Sequence, residues 1–226
     1  MKILDNIFII PSSVNCYLIE REQDCVLIDT GMSKKAKRII QTIKSNCANK
    51  SLSAIIITHA HLDHYAGLET LVQLYGAETV AHKEESQYIM KTKEMPQREG
   101  FAGFMLKVLE KMSSVSGHNV DKIVTNQEVV NGLKVFHLPG HTPGTIALED
   151  TVSNALFCGD IINANKTGDK ILPPNQKFAL DYEQALKASI KMFEITNPSV
   201  ILPGHGSPIL DPSDAIKTYL EEFGKV

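Results

Sequence analysis

The chain has 226 residues, of which 43% are hydrophobic and 22% charged, a balance that is typical of globular proteins and excludes an intrinsically disordered chain. The net charge of −3 is spread along the sequence, so no basic block predicts nucleic-acid binding. No stretch approaches the roughly 20 apolar residues of a membrane-spanning helix, and polar residues interrupt the apolar N-terminal run, which makes it a poor signal peptide. We therefore expect a cytoplasmic protein without nucleic-acid or membrane partners.

The four cysteines, Cys16, Cys25, Cys47 and Cys158, lie far apart and form no C-x-x-C pair. In a reducing compartment such residues are expected to be free thiols that pack in the core as small side chains. Cys158 lies close to Asp160 in the sequence, and packing is again the preferred interpretation.

The first part of the chain alternates β-rich runs with helical patterns. Turn residues separate the first three runs, and Ser33 is a suitable N-cap for the first helix. The run SAIIIT is continuously apolar and β-branched, which is typical of a strand that is buried on both faces. The predicted strands span 3–10, 15–20, 25–30, 53–58 and 78–82, and the predicted helices span 33–46 and 63–75.

The middle segment 83–117 differs, because it predicts two helices with no strand between them. The second helix, at 101–112, carries an apolar stripe with three open interpretations: core packing, one wall of a substrate pocket, or a homodimer surface. Beyond it the β pattern returns. The predicted strands span 122–125, 133–138, 145–150, 155–159 and 199–204, and the predicted helices span 181–194 and 213–223.

Both halves of the chain thus run from β-rich to α/β order. This order predicts an α/β protein with two sheets packed together and helices outside, a four-layer αββα sandwich. No linker or low-complexity tract divides the sequence, so we expect a single domain over 1–226, with a helical insertion at about 83–117.

The stretch ITHAHLDHYAG (57–67) places three histidines and one aspartate directly after a predicted buried strand. His59 and His61 are two residues apart, so in an extended chain they point to the same side. Asp63 and His64 fall on the first turn of the next helix, where the helix dipole favours a carboxylate. One metal ion would not normally take all four ligands from so short a loop, whereas two adjacent ions could share them.

Three later segments offer ligands of the same kind. LPGHTPG contains His141, ALFCGD contains Asp160 and VILPGHG contains His205, each after an apolar run and beside glycine, which permits the tight backbone of a metal loop. Imidazole and carboxylate donors suit Zn²⁺, and also Fe²⁺ or Mn²⁺. The predicted ligands are His59, His61, Asp63, His64, His141, Asp160 and His205.

The remaining three histidines lack such partners. We expect structural or surface roles for His82, His118 and His137. His137 precedes the PGH turn and is placed to orient it.

The segment THAHLDH resembles the HxHxDH signature of the metallo-β-lactamase superfamily. PGHTPG, FCGD and PGHG are similar to that family's remaining ligand motifs, in the family's order, and VLIDTG (26–31) is similar to its early strand and turn. The resemblance covers about residues 15–210 and is to the glyoxalase II-like or lactonase-like branch of the family. It implies an αββα sandwich that holds two metal ions, expected to be Zn²⁺.

The resemblance also implies a role for each ligand. The first ion would be held by His59, His61 and His141. The second would be held by Asp63, His64 and His205, and Asp160 would bridge the two. Asp29 would orient a ligand histidine through a hydrogen bond.

The reaction expected of such a site is hydrolysis of a small ester, thioester or lactone by a metal-bridging hydroxide, because divalent ions lower the pKa of bound water to about 7. Asp63 is the predicted catalytic residue, which passes a proton to the leaving group. A small-molecule substrate is the expected partner. A mononuclear iron persulfide dioxygenase that uses His59, His61 or His141, and Asp160, is one alternative, and a catalytically silent binding protein of the same fold is another.

Several branches of the family fit the sequence less well. A secreted β-lactamase is expected to carry a signal peptide, and RNA-processing members carry inserted domains or basic exosites. Flavodiiron proteins typically have glutamate where this chain has His61. Classical glyoxalase II enzymes add a C-terminal helical domain, whereas this chain ends soon after His205. Acyl-homoserine lactonases place a tyrosine where this chain has Asn163.

Overall fold

The computed structural model describes residues 1–32, 36–113 and 115–224, apart from the side chains at positions 101, 102, 106 and 109. The chain forms two compact units. Unit 1 consists of Met1–Met95 and Ser114–Val124, and unit 2 consists of Pro96–Ser113 and Thr125–Val226. Each unit contains one mixed β-sheet.

The sheet of unit 1 has seven strands that lie side by side in chain order. They are β1 (Lys2–Leu4), β2 (Ile7–Pro11), β3 (Asn15–Glu20), β4 (Asp24–Ile28), β5 (Ser51–Ile57), β6 (Glu78–His82) and β7 (Lys122–Val124). Pairing is antiparallel from β1 to β4 and parallel from β4 to β7. Parallel neighbours need crossover connections, which are usually helical. The helices are α1 (Ala36–Asn46), α2 (Leu62–Tyr65), α3 (Leu68–Tyr75) and α4 (Lys83–Ile89).

Strand β5 lies inside the sheet of unit 1, between β4 and β6, and leads directly into the histidine-rich loop. Its residues Ile55, Ile56 and Ile57 are fully buried, which confirms the prediction of a strand covered on both faces. Burial of each such side chain contributes roughly 1.5–3 kcal/mol, so the loop is anchored to one of the best packed strands. Because β4, β5 and β6 are parallel, the segments that follow them emerge at the same edge of the sheet.

The sheet of unit 2 has the order β14-β11-β10-β9-β8. Its strands are β8 (Val129–Val130), β9 (Leu133–His137), β10 (Ile146–Asp150), β11 (Ala155–Gly159) and β14 (Val200–Pro203), and a separate hairpin is formed by β12 (Asn163–Ala164) and β13 (Ile171–Leu172). The helices are α5 (Phe101–Met112), α6 (Tyr182–Ile195) and α7 (Ser213–Phe223). Only β11 and β14 pair in parallel, so their carboxyl ends lie side by side.

Most predicted elements are present, but some differ in extent or number. The predicted strand 3–10 is the hairpin β1–β2, which turns at Asp5 and Asn6. The two-residue strands β8, β12 and β13 were not predicted. The predicted N-cap at Ser33 lies outside the described residues.

The predicted helix 63–75 is interrupted at Gly67. The Gly67 amide donates to Thr30 Oγ1 at 3.1 Å and to the Gly31 carbonyl at 3.0 Å. A Cβ at this position would lie 2.6 Å from the Thr30 carbonyl oxygen. The loop after β4 therefore packs directly against the backbone at the break, and no larger residue fits there.

Cys25 and Cys47 form a disulfide, so the prediction of four free cysteines is wrong for this pair. Cys25 lies in β4, and Cys47 follows α1, which crosses over from β4 to β5. The crossover returns the end of α1 to the beginning of β4, although nothing in the local sequence around either cysteine indicates this. The other two cysteines, Cys16 and Cys158, are free and buried, as expected.

Among the described residues, no helix is long and apolar enough to cross a membrane.

Helix α5 exposes part of its apolar stripe, since Phe104 and Met112 are 63% and 79% exposed. Core packing therefore does not account for these two side chains. A single domain with an insertion at 83–117 stays a prediction.

Opening the disulfide is expected to lower the free energy of unfolding by roughly 3 kcal/mol, because the crosslink closes a loop in the unfolded chain. The measurement is urea unfolding of the oxidised protein and of the variant with both Cys25→Ala and Cys47→Ala. As a control, Cys158→Ala removes a buried free thiol but keeps the disulfide. A reducing agent should therefore lower the free energy of unfolding of this variant by as much as that of the unaltered protein. Equal stability of the oxidised protein and the double variant would contradict the prediction.

Candidate metal centre

Unit 1 brings together the four predicted ligands of the loop after β5. His59 and His64 are fully buried, whereas His61 and Asp63 are partly exposed. His59 Nε2 lies 3.2 Å from His61 Nδ1, and the ring centroids of His59 and His64 are 4.0 Å apart. Two ligand atoms on one tetrahedral Zn²⁺ are about 3.4 Å apart, given bonds of about 2.05 Å. The separation of the two nitrogens thus suits ligands of a common ion.

Asp29 orients His64, as predicted for this aspartate. Its Oδ2 lies 2.7 Å from His64 Nδ1, and it also accepts from Thr58 through Oδ1 (from the amide, 2.9 Å) and Oδ2 (from Oγ1, 2.8 Å). A carboxylate only accepts, so His64 donates from Nδ1 and presents Nε2 as its ligand nitrogen. Asp29 is buried and has φ of 58°, a left-handed conformation that aspartate and asparagine tolerate better than most residues.

The same loop after β4 also holds the backbone of the ligand segment. Thr30 donates to the His64 carbonyl from its amide at 2.6 Å and from Oγ1 at 3.0 Å. His64 is therefore fixed through its ring by Asp29 and through its main chain by Thr30. Asp29 and Thr30, the two residues that follow β4, thus determine both the position and the tautomer of His64.

Cys16 is a buried free thiol near the carboxylates of Asp29 and Asp63. Burial raises the pKa of the Cys16 thiol well above its usual range, and the nearby charges of Asp29 and Asp63 raise it further. Burial also raises the pKa of the Cys158 thiol. Both shifts favour the neutral thiol.

Unit 2 brings together the other three predicted ligands. Asp160 Oδ2 lies 3.6 Å from His141 Nε2 and 3.4 Å from His205 Nε2. Charge-assisted hydrogen bonds are shorter, at about 2.7–2.9 Å, whereas ligands of one tetrahedral ion would be about 3.4 Å apart. His141 and Asp160 are buried, and the side chain of His205 is 37% exposed.

The turn that carries His141 is held by its own side chains and by α6. His137 Nε2 donates to the Pro143 carbonyl at 2.9 Å, so His137 contacts the turn that it was predicted to orient. The Thr142 amide donates to Thr145 Oγ1 at 2.9 Å. Gly140 has φ of 133°, and a Cβ there would lie 2.2 Å from the Ala185 amide nitrogen, so only glycine lets the turn approach α6.

The hairpin β12–β13 supports the loop that carries His205, a role that the sequence did not predict. The Ala164 amide donates to the His205 carbonyl at 3.0 Å, and the Ser207 amide donates to the Asn165 carbonyl at 3.2 Å. Gly206 has φ of 95°, and a Cβ there would lie 1.9 Å from the Ala164 carbonyl oxygen. Strands of two residues carry too little pattern to be found from sequence.

The described residues include groups of histidine and aspartate that could hold a metal ion. Their donors are imidazole nitrogens and carboxylate oxygens at separations that suit a divalent ion, so the residues present fit the metal that the motifs imply. The structure thus places four predicted ligands together in unit 1 and three in unit 2. Their assignment to one two-ion site stays a prediction.

His82 has the structural role expected of it. Its ring accepts from the Glu84 amide at 3.3 Å and so caps the N-terminus of α4. Sequence reasoning missed Thr58, which bonds both to Asp29 and, at 3.1 Å, to His59 Nδ1. No motif signals this threonine, because its role follows from the pairing of β4 with β5.

Replacing Asp29 by asparagine is expected to weaken Zn²⁺ binding by about 10- to 100-fold, as is typical when the partner of a ligand histidine is lost. Asparagine suits the left-handed backbone, but one of its two terminal atoms is a donor NH2 group, which would face either the donating Thr58 amide or the donating His64 ring. Competition with a chromophoric chelator gives the dissociation constant. Asp24→Asn, at the other end of β4, is the matched control, and equal affinities for all three proteins would count against the role of Asp29.

The profile of the metallo-beta-lactamase superfamily matches residues 9–217. The hydroxyacylglutathione hydrolase GloC of Haemophilus influenzae is 29% identical, over 89% of this chain and 91% of its own length. The probable metallo-hydrolase YybB of Bacillus subtilis is 24% identical, over 93% and 88%. The subclass B3 metallo-beta-lactamase BJP-1 of Bradyrhizobium japonicum superposes with a TM-score of 0.71 at 21% identity, over 100% of this chain and 90% of that chain. The predicted fold, with two mixed sheets flanked by helices, is confirmed, and the chain belongs to the metallo-beta-lactamase superfamily.

Proposed function

We propose that this protein is a zinc-dependent hydrolase that cleaves a small ester, thioester or lactone. The observation that carries the proposal is the convergence of ligand atoms at 3.2 Å in unit 1 and at 3.4 and 3.6 Å in unit 2. These separations suit ligands of bound divalent ions. The family to which the chain belongs supports the same conclusion.

Under this proposal the seven predicted ligands hold two ions. When bound, such ions supply a water nucleophile of lowered pKa, near about 7, and polarise the carbonyl group of the substrate. The chain's own part is to fix the donors before the substrate arrives. Asp29 holds the tautomer of His64, and the turn and hairpin of unit 2 hold His141 and His205.

Asp63 is the residue that we propose to move a proton. It lies on the first turn of α2, directly before His64, and is partly exposed, so its carboxylate can meet both solvent and substrate. In the reaction it would receive a proton from the nucleophilic water and donate it to the leaving-group oxygen or sulfur. General acid–base transfer of this kind contributes typically about 10²- to 10⁴-fold in rate.

A thioester is the substrate class that we favour first. The relative GloC is named as a hydroxyacylglutathione hydrolase, and this chain covers 91% of its length. A cytoplasmic location and a homodimer through 83–117, which would cover Phe104 and Met112, stay predictions.

Turnover is expected to depend on the metal. Protein purified without added metal is expected to contain about two Zn²⁺ per chain by mass spectrometry and to hydrolyse at least one member of a panel of thioesters, lactones and nitrophenyl esters. Chelation should abolish turnover, and added Zn²⁺ should restore it. About one iron per chain, without hydrolysis but with oxygen uptake on a persulfide, would overturn the proposal in favour of a dioxygenase. A metal-free protein without turnover would overturn the proposal in favour of a catalytically silent binding protein.

Asp63→Asn is expected to slow hydrolysis according to the leaving group. With an alkyl ester, which needs protonation of its leaving oxygen, kcat should fall by about 100-fold or more. With a nitrophenyl ester, whose leaving group departs as a stable anion, kcat should fall much less. Metal content is measured in parallel, and Asp121→Asn in the same unit is the matched control. An equal loss with both substrates at full metal content would assign Asp63 a ligand role alone.

A further inference from the structure

Glu85 is a buried carboxylate that none of the motifs includes. It lies on α4, which follows β6, and its side chain is fully buried, whereas the adjacent Glu84 is exposed. Its Oε1 accepts a hydrogen bond of 2.8 Å from the amide of Ala60. Ala60 is the residue between His59 and His61, so this glutamate contacts the main chain between two predicted ligands.

The burial of Glu85 indicates a specific role. A buried carboxylate is costly unless hydrogen bonds compensate for its lost hydration, and charged residues are rarely buried without such partners. A surface glutamate on α4 would avoid the cost, as Glu84 does. The carboxylate of Glu85 instead lies where a short loop presents an amide that β5 no longer pairs, since β5 ends at Ile57.

Two buried carboxylates thus hold alternate amides of the ligand segment. Asp29 accepts from the Thr58 amide at 2.9 Å, and Glu85 accepts from the Ala60 amide at 2.8 Å. The intervening His59 and the following His61 face each other at 3.2 Å between Nε2 and Nδ1. Because a histidine ring follows its backbone, a rotation of the Ala60 peptide would change that distance.

We propose that Glu85 is a positioning residue, which sets the separation of His59 and His61 by holding the Ala60 amide. The proposal rests on the proposed metal site and goes beyond it, because it assigns a role to a residue outside the ligand motifs. Under this proposal, Glu85 acts because its side chain is long enough to bring an acceptor oxygen to the Ala60 amide. The negative charge of Glu85 contributes less to the position of the loop than this hydrogen bond does. Loss of such a partner of the ligand shell typically weakens metal binding by about 10- to 100-fold.

Two substitutions separate reach from charge. Glu85→Gln keeps an oxygen acceptor at the same reach and removes the charge. Glu85→Asp keeps the charge and withdraws the oxygens by roughly 1.5 Å, the length of one C–C bond. The Gln variant is expected to bind Zn²⁺ with close to wild-type affinity, and the Asp variant about 10- to 100-fold more weakly.

The readouts are the Zn²⁺ dissociation constant, from chelator competition, and the visible spectrum of the Co²⁺-loaded protein, which reports ligand geometry. Thermal unfolding of the metal-free proteins shows whether each variant is folded. Asp150→Ala is the matched control, since Asp150 is also a buried carboxylate that accepts a backbone amide, from Ser153 at 3.0 Å. It should lower stability without changing Zn²⁺ affinity or the Co²⁺ spectrum.

Weaker binding and an altered Co²⁺ spectrum for Glu85→Asp, with both restored in Glu85→Gln, would support the proposal. The reverse order, with Gln impaired and Asp normal, would overturn it in favour of a charge effect. Wild-type affinity and spectrum in both variants would overturn it as well, as would a loss of affinity in Asp150→Ala as large as in Glu85→Asp. Failure of the unaltered protein to bind Zn²⁺ or Co²⁺ would instead overturn the metal site itself.

Discussion

The carboxylate of Asp29 is the contact on which the histidine-rich loop of unit 1 depends. It accepts from the amide and hydroxyl of Thr58 and from the ring of His64, so one side chain connects the end of β5 to the beginning of α2. Its position requires two conditions together: parallel pairing of β4 with β5, and a left-handed backbone at Asp29. The hydroxyl of Thr30 adds a second connection, because it donates to the His64 carbonyl and accepts from the Gly67 amide.

Unit 2 positions its three ligands through a different set of contacts. Its single parallel pair, β11 with β14, places the segments after the two strands side by side, and these segments carry Asp160 and His205. His141 follows β9, which has only antiparallel neighbours, and its turn is held by His137, by Thr145 and by the close approach of Gly140 to α6. In both units, therefore, the ligands follow the ends of strands, on short irregular loops or, for Asp63 and His64, on the short helix α2. Hydrogen bonds from the neighbouring segments hold these ligands in position.

The sequence was sufficient for the parts of the structure that depend on local pattern. Strands β3 and β6 occur at the predicted residues, and the buried run of β5 and the clustering of each set of ligands followed from their places after apolar runs. The sequence was insufficient where contacts between distant segments determine the local structure. The break at Gly67 depends on Thr30, the bond of Ala60 depends on Glu85, and the disulfide depends on the path of α1. Each joins residues more than 20 positions apart, and neither partner alone has a distinctive neighbourhood.

The disulfide between Cys25 and Cys47 also bears on how the protein is produced and handled. Cysteines made in a reducing cytoplasm remain thiols, whereas the same pair closes in an oxidising compartment. The chain therefore has two covalent forms that differ by two hydrogen atoms in mass, and the oxidised form has fewer thiols for an alkylating reagent to label. The host strain and the buffer would decide which form is studied, and the form recovered directly from its native cell would record the compartment in which the protein resides.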